Sequence, residues 1–535
     1  MKKYRKRVFL ALMLITLQVF CAVPVRAEIF SARNEIRVGL ISLYSGKESL
    51  TINNTKLGYG YCVDNMFLQE TVLESSSGFT FVPVNGYFIA EKALYGSYQA
   101  AAMAAKEYQK LGIEAFPGSS YQCSWRVYFG NVSKYADGES MIAMIEDLTG
   151  KSVFEILPGN NYRIRMSGTF GTLLIDVDER YAYPQFRPVT VYEKGVYCVN
   201  LGDRAYRGRI EVGRYGKSTL TAVNIIGIEE YLYGVVPAEM SSTWHEEALK
   251  AQAVCARSYA LIKAGYGGES NAKKGYKIVD TVSSQVYKGY LAESVKANMA
   301  VDATKGEMVC YNNKVVPAYY FSTSGGKTEA SADVWAADVP YLQSVSDPYE
   351  QNASRQVWQV TMTLDKINSL LKSQGITKDE VKDLFISQTS ANGRVYALKL
   401  AGENSSLTMQ GTTIRTILNL YSTKFKIVRQ GDTPDKVSVL SEDGLISGRI
   451  SDMYVASADG VTKASGNAEQ YIVQSADNLL NYPRTAPDSE EELLFAGMGY
   501  GHGVGLSQYG AKGMAEAGYT YKEIVEYYFT GASVR

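Results

Sequence analysis

Histidine and tryptophan are scarce in this chain, with two and four among 535 residues. His245 and Cys255 stand too far apart on one helix to be adjacent ligands, and His502 has no ligand partner beside it, so no metal site is expected. The six cysteines, at 21, 62, 123, 198, 255 and 310, include no C-x-x-C pair. Five of them follow the first 27 residues, and such an odd, scattered set is not a disulfide framework. Cys198, Cys255 and Cys310 read as small buried hydrophobes, while a Cys62–Cys123 pair stays open. Net charge is absent too: 55 Lys and Arg balance 55 Asp and Glu. That excludes partners held by bulk charge, such as nucleic acid or an anionic membrane surface. After the first 27 residues no apolar run is long enough to cross a bilayer, which takes about 20 residues.

The N-terminus reads as a secretory leader. "MKKYRKR" is basic, residues 8–23 form an apolar run interrupted by Gln18, and Val25-x-Ala27 is a small-residue cleavage signal. The expected product lies outside the cytoplasmic membrane, secreted or in the cell wall. An uncleaved leader would be its only membrane anchor. The rest is too long for one hydrophobic core, so several domains are expected. Residues 28–76 read as short strands and turns. In 77–150 two aromatic strands each lead through a turn into a helix stopped by glycine, the helices being "GSYQAAAMAAKEYQKLG" and "ADGESMIAMIEDLTG". This plan resembles the SPOR domain, a small βαβ-repeat module that binds septal glycan strands. Residues 151–535 are strand-rich with long helical blocks at 243–264 and 291–304. A polar stretch at 430–494 reads as an irregular insert. The expected class is α+β, a strand-rich catalytic domain preceded by the small module.

The helix from 243 to 264 has a T-x-x-E start at Thr243 and Glu246, which predicts a capping box. Trp244, Ala248, Ala251, Cys255, Tyr259 and Ile262 recur at helical spacing as a buried stripe. Glu246 and Lys250 are set to pair at i,i+4. Four residues before Thr243 stands Glu239, after Pro237 and the apolar "YLYGVV", read as a strand. A carboxyl at a strand-to-helix corner with apolar neighbours loses solvation, which raises its pKa and suits it to general-acid work.

"VVPAEM…W…ALKAQAVCARSYAL" closely resembles the signature of the stage II sporulation protein D family, which includes the amidase enhancers. "FSTSGGKTE" with Trp335, "SANGRVYALKLAG", "MQGTTIRTILNLYSTKF" and "GHGVGLSQYGAKGMAEAGYTYKEIVEYYFTGA" resemble it as well. The resemblance implies a lytic transglycosylase that cleaves peptidoglycan glycan strands freed of stem peptides. Its catalytic glutamate lies in the V-x-x-E-M element, here Glu239. It implies no cofactor, and a cell-wall amidase as a partner besides the glycan. Some relatives carry Cys and His-Cys near "DTVSSQVY", where this chain has Ser283 and Ser284, a departure that argues against zinc. The family's amidase enhancers imply the competing reading, a wall-binding modulator of an autolysin. Asp280 is the candidate for a second acidic group.

One stretch remains. Between Gly497 and Gly513 there are seven glycines, every second residue from 497 to 505. Glycine at alternate positions lets backbone approach backbone or ligand. The expectation is a strand pressed on a second strand along a cleft wall, with His502, Ser507, Gln508 and Tyr509 facing sugar. "STSGG" would form a second wall through Ser322, Ser324 and Gly325, and Arg257 would orient Glu239 or bind substrate. The spacing is not the G-x-G-x-x-G of a dinucleotide loop.

Overall fold

The computed structural model describes residues 35–535 except 64–65, 121–123, 179, 181, 266–274, 336, 351–352, 354, 378, 433–435, 442–443, 451–453, 458–459, 464–469, 475–478 and 484–485. The leader, Cys21 and Cys123 fall outside the described residues. The chain divides into two compact units, residues 1–239 with 260–298, and residues 240–259 with 299–535. Among the described residues no helix is long and apolar enough to cross a membrane.

The first unit contains two large sheets. In the ten-stranded sheet, β1 (Tyr87–Glu91), α1 (Tyr98–Lys110), β2 (Phe116–Ser119), β3 (Trp125–Val132), α2 (Tyr135–Thr149) and β4 (Phe154–Leu157) follow one another in the chain. Their strands lie side by side in the order β4-β1-β3-β2. This is the βαββαβ arrangement of ferredoxin-like modules. Alternation along the strands explains it. Ile89, Val127 and Phe129 point to the side where Ala105 and Tyr108 of α1 and Ile145 of α2 pack. Phe88, Ala90 and Tyr128 point to the other side. The helices form where the sequence predicts: Ser97 caps α1 by accepting from the Ala100 amide, and Gly150 ends α2 with φ +66°.

The sheet does not stop at this module. From β2 it runs on through 171–175, 164–168, 79–83, 50–52, 199–201 and 204–206. The eight-stranded sheet packs against it. The Tyr59 ring packs 5.4 Å from Trp125 while its hydroxyl donates to Ser119, and Phe81 meets Phe186 at 5.0 Å. Such a sandwich suits a chain with 41 tyrosines, each bringing a large apolar body and a polar tip.

From the eight-stranded sheet the strand Leu220–Gly227 leads into α3 (Ile228–Glu239). The expected strand "YLYGVV" is therefore helical. Tyr231, Leu232, Val235 and Val236 are buried at i, i+1, i+4 and i+5, and Glu229 and Glu230 sit in the first turn, where the helix dipole favours them. Short apolar runs leave helix and strand indistinguishable from pattern alone. The following helix, α4 (Glu246–Ala264), starts later than a capping box at Thr243 would set it. The Glu247 amide donates to Nδ1 of His245, and the Ser241 and Thr243 hydroxyls bond to each other. Lys250 pairs with Glu246 as expected, and with Glu247. The helix is buried at every position from Ala251 to Ser258, not along one stripe.

In the second unit, β5 (Tyr320–Phe321) precedes a three-stranded antiparallel sheet. There β6 (Val357–Thr363) and β7 (Phe425–Val428) flank β8 (Glu492–Met498). Then β9 (Leu506–Ser507) pairs parallel with β5 and runs into α5 (Gln508–Glu516) and α6 (Tyr521–Tyr528). One apolar core gathers Trp358, Leu398, Ile414, Phe425 and Phe495. Among its described residues, the stretch at 430–494 is regular rather than irregular. It holds three antiparallel hairpins, pairing 436–441 with 444–449, 454–457 with 460–463, and 470–474 with 479–483. Clusters of Ser, Asp, Gly and Pro mark hairpin turns as well as loops. The class is α+β, with several sheets and strands predominating.

Candidate functional site

In the first unit Glu239 ends α3 and is half-buried. Its Oε1 accepts the backbone N–H of Val286 at 2.7 Å. The segment that supplies this amide is fastened to the same helix. The Tyr287 ring lies 4.9 Å from Tyr231, and a Cβ on Gly234 would fall 2.7 Å from it, so only glycine admits the approach. Tyr287 also donates to Asn224 at 2.8 Å, and the Tyr231 hydroxyl donates to Gln285 at 3.1 Å. Two opposing influences act on the Glu239 carboxyl. Partial burial disfavours its charge, and the amide hydrogen bond favours it.

Asp280 lies at the start of that segment but is buried. Its carboxylate accepts from the amide and hydroxyl of Ser42, and burial raises its pKa against those donors. It ties the segment to the N-terminal part of the unit. Ser284 Oγ accepts from the Val279 amide and the Ser283 carbonyl accepts from Lys263, so both serines serve the turn. Among the described residues no cluster of His, Cys, Asp and Glu is fit to hold a metal.

In the second unit the "STSGG" loop and the glycine segment meet. Strand geometry ends at Met498. From Gly499 to Gly505 the four glycines have φ of +74°, +115°, +89° and +82°. The expected continuous strand is thus a left-handed excursion laid along residues 319–324. Tyr500 and Thr323 exchange backbone hydrogen bonds, Glu329 donates its amide to the Gly503 carbonyl, and Leu506 to that of Tyr319. A Cβ on Gly505 would stand 2.3 Å from the Tyr319 carbonyl oxygen.

Beneath the loop lies a carboxylate that sequence reading missed. Glu350, 2% exposed, accepts the Gly325 amide at 2.9 Å, the Gly326 amide at 3.3 Å, the Ser324 amide, and the Ser507 hydroxyl. Asp347 is buried beside it and accepts from the Tyr528 hydroxyl at 2.9 Å. Burial, then the neighbouring Glu350 charge, raises the Asp347 pKa well above the usual range. The loop carbonyls are taken as well, Ser324 by Arg394 and Gly325 by Lys424. Arg394 is paired in turn with buried Glu329 at 3.4 Å.

Ser324 and Gly325 therefore present their backbone inward, and Ser507 caps α5 through the Gly510 amide. The Ser322 carbonyl accepts the Tyr509 amide, and the Tyr509 ring packs 4.9 Å from Trp244. Gln508 is nearly buried and donates to Gln252 at 3.4 Å. Arg257 is fully buried. Its guanidinium donates to the carbonyls of Val301 and Glu307. His502 packs 5.4 Å from Phe321 and 5.3 Å from Trp335, and its Nδ1 accepts the Val504 amide. Burial, reinforced by the charges of Arg415 and Arg394, pushes its pKa down to about 3. The imidazole is neutral. Ser322, Ser324, Gly325, His502, Ser507 and Tyr509 are thus brought together in one assembly. The signal for Glu350 and Asp347 was the acidic pair in "SDPYE", three residues apart, but nothing in the sequence ties it to a loop over 20 residues upstream.

A family model described as stage II sporulation protein matches residues 216–311, and one described as a domain of unknown function matches 341–445. Over 321 residues the chain is 33% identical to a protein of Bacillus subtilis (strain 168) named amidase enhancer. That match covers 57% of this chain and 40% of the relative, less than half its length. Over 325 residues it is 29% identical to stage II sporulation protein D of the same organism, covering 58% of this chain and 76% of that one. A stage II sporulation protein D from Bacillus amyloliquefaciens is 28% identical over 324 residues, covering 58% and 75%.

Proposed function

Residues 216–311 carry a stage II sporulation protein domain, and on that premise we propose that the chain is a peptidoglycan lytic transglycosylase with Glu239 as its single acid and base. The observation that carries this is the Glu239 carboxyl itself. It is half-buried at the end of a helix, with one oxygen fixed by the Val286 amide, inside the matched domain. Ordinary glycosidases use two carboxyl groups. Here Asp280, the candidate for a second carboxyl, is buried and committed to Ser42.

One carboxyl suffices if the sugar supplies its own nucleophile. Glu239 gives its proton to the glycosidic oxygen as the bond from that oxygen to C1 of N-acetylmuramic acid breaks. The 6-hydroxyl of the same sugar bonds to C1 and returns its proton to Glu239, leaving a 1,6-anhydro ring and consuming no water. The Val286 amide supports the first half, because a hydrogen bond to the charged form stabilises the carboxylate left when the proton is given up. In the second unit, half-buried Ser322, His502 and Tyr509 are the groups that would touch glycan, while buried Ser324, Gly325, Ser507, Gln508 and Arg257 support them. The βαββαβ module would add a second glycan-binding surface. The protein would work outside the cytoplasmic membrane, where its substrate is.

The relative named amidase enhancer favours a second reading, in which the chain binds wall and modulates an amidase without cleaving glycan. Mass spectrometry of products from intact and amidase-treated peptidoglycan separates the two. Anhydro-ended fragments support the transglycosylase, reducing-end fragments mean hydrolysis by water, and intact strands with retained wall binding favour the modulator.

A further inference from the structure

The glycine segment buries Met498 and Val504 but exposes Tyr500, 43% accessible between two glycines of positive φ. The Tyr500 ring stands edge-on to Tyr421 at 5.6 Å. Over the Tyr421 ring, 4.3 Å from its centre, lies the guanidinium of Arg355. Arg355 is exposed and has a φ of +58°, a conformation that a side-chain-bearing residue keeps at a cost and that clusters at ligand clamps. A second guanidinium, Arg415, is half-buried and donates through Nε to the Tyr421 carbonyl at 3.2 Å. Among the described residues neither arginine has a carboxylate partner. The Gly499 amide, bonded to the Gln356 carbonyl, and the Gly501 amide, bonded to that of Tyr421, hold these pieces together.

We infer that Tyr500, Tyr421 and Arg355, backed by Arg415, form a subsite for a sugar ring bearing a free carboxylate, the lactyl carboxylate that an amidase exposes when it removes the stem peptide. The inference rests on the glycan reading above and gives it a reader for stripped strands. An exposed aromatic ring offers a flat apolar face to a sugar. A planar guanidinium matches a carboxylate with two parallel hydrogen bonds. Two cations without acidic partners favour an anionic ligand over a neutral one. The glycines on either side of Tyr500 explain its projection from a segment otherwise packed inward.

The test measures binding in the Glu239→Gln background, so that cleavage does not intervene. Amidase-digested strands are compared with neutral chitin oligosaccharides of equal length. The digested strands are expected to bind more tightly. Arg355→Gln should weaken them by about ten-fold, the loss of one charged hydrogen-bonded contact, with the chitin oligosaccharides unaffected. Arg355→Lys should recover only part, and Tyr500→Ala should weaken both ligands. Undiminished preference for the digested strands in Arg355→Gln would overturn the subsite while leaving the glycan reading intact. No binding of either ligand by the parent would overturn both.

Discussion

Glu239 accepts the backbone amide of Val286 at 2.7 Å, and this contact sets where its other oxygen can reach. Glu239→Asp keeps the charge but shortens the arm by one methylene, so it cannot hold the amide and reach the same point. Initial rates on amidase-treated strands should fall about 100-fold, the scale of a 1 Å misplacement, with the melting temperature unchanged. An Asp variant as active as wild type would show that this geometry is not used.

Glu350 and Asp347 should respond unequally to amide substitution. Glu350→Gln sets an NH2 group among donors and should destabilise by about 3 kcal/mol in urea unfolding. Asp347→Asn mimics the protonated acid and should cost less than about 1 kcal/mol.

Asp347 also predicts a pH dependence. Its folded pKa is raised, so its contribution to stability is complete below the unfolded value of about 3.9 and is lost as pH rises through the folded value. Urea midpoints of the wild type should therefore decline toward alkaline pH more than those of Asp347→Asn. Parallel declines would contradict the raised pKa of Asp347.

His502 should not titrate between pH 5 and 8. Its folded pKa is depressed to about 3, so it contributes stability above the unfolded value of about 6.5 and loses it as pH falls toward 3. In a His245→Asn variant, where one histidine remains, the ring proton shifts in NMR should stay flat across that range.

The glycine segment predicts unequal alanine costs. Gly505→Ala combines a φ of +82° with a carbonyl 2.3 Å away, whereas Gly518, φ +93°, has nothing within 4 Å. Both pay backbone strain of about 1–2 kcal/mol, and Gly505→Ala should exceed Gly518→Ala by about 2 kcal/mol or more.

What the sequence made legible follows from the range over which each signal acts. The helices of the βαββαβ module announced themselves through their glycine stops, Gly112 and Gly150. Burial of Cys198, Cys255 and Cys310 was readable from residue type. Glu239 stood out by its motif, yet its neighbourhood did not, because "YLYGVV" carries no period that separates helix from strand. Arg257 was expected to orient Glu239 or bind substrate, whereas its guanidinium is buried against the Val301 and Glu307 carbonyls, a placement no local pattern carries. The carboxylate under the "STSGG" loop was invisible because its partners are backbone amides, which leave no trace in residue identity.

The central claim is best tested by incubating wild type and Glu239→Gln with amidase-treated glycan strands and reading the released ends by mass spectrometry. The account predicts 1,6-anhydro-muramyl ends from the wild type, none from a folded Glu239→Gln, and unchanged strand binding in both. Equal release of anhydro ends by the variant, or no release by the wild type on any strand, would contradict it.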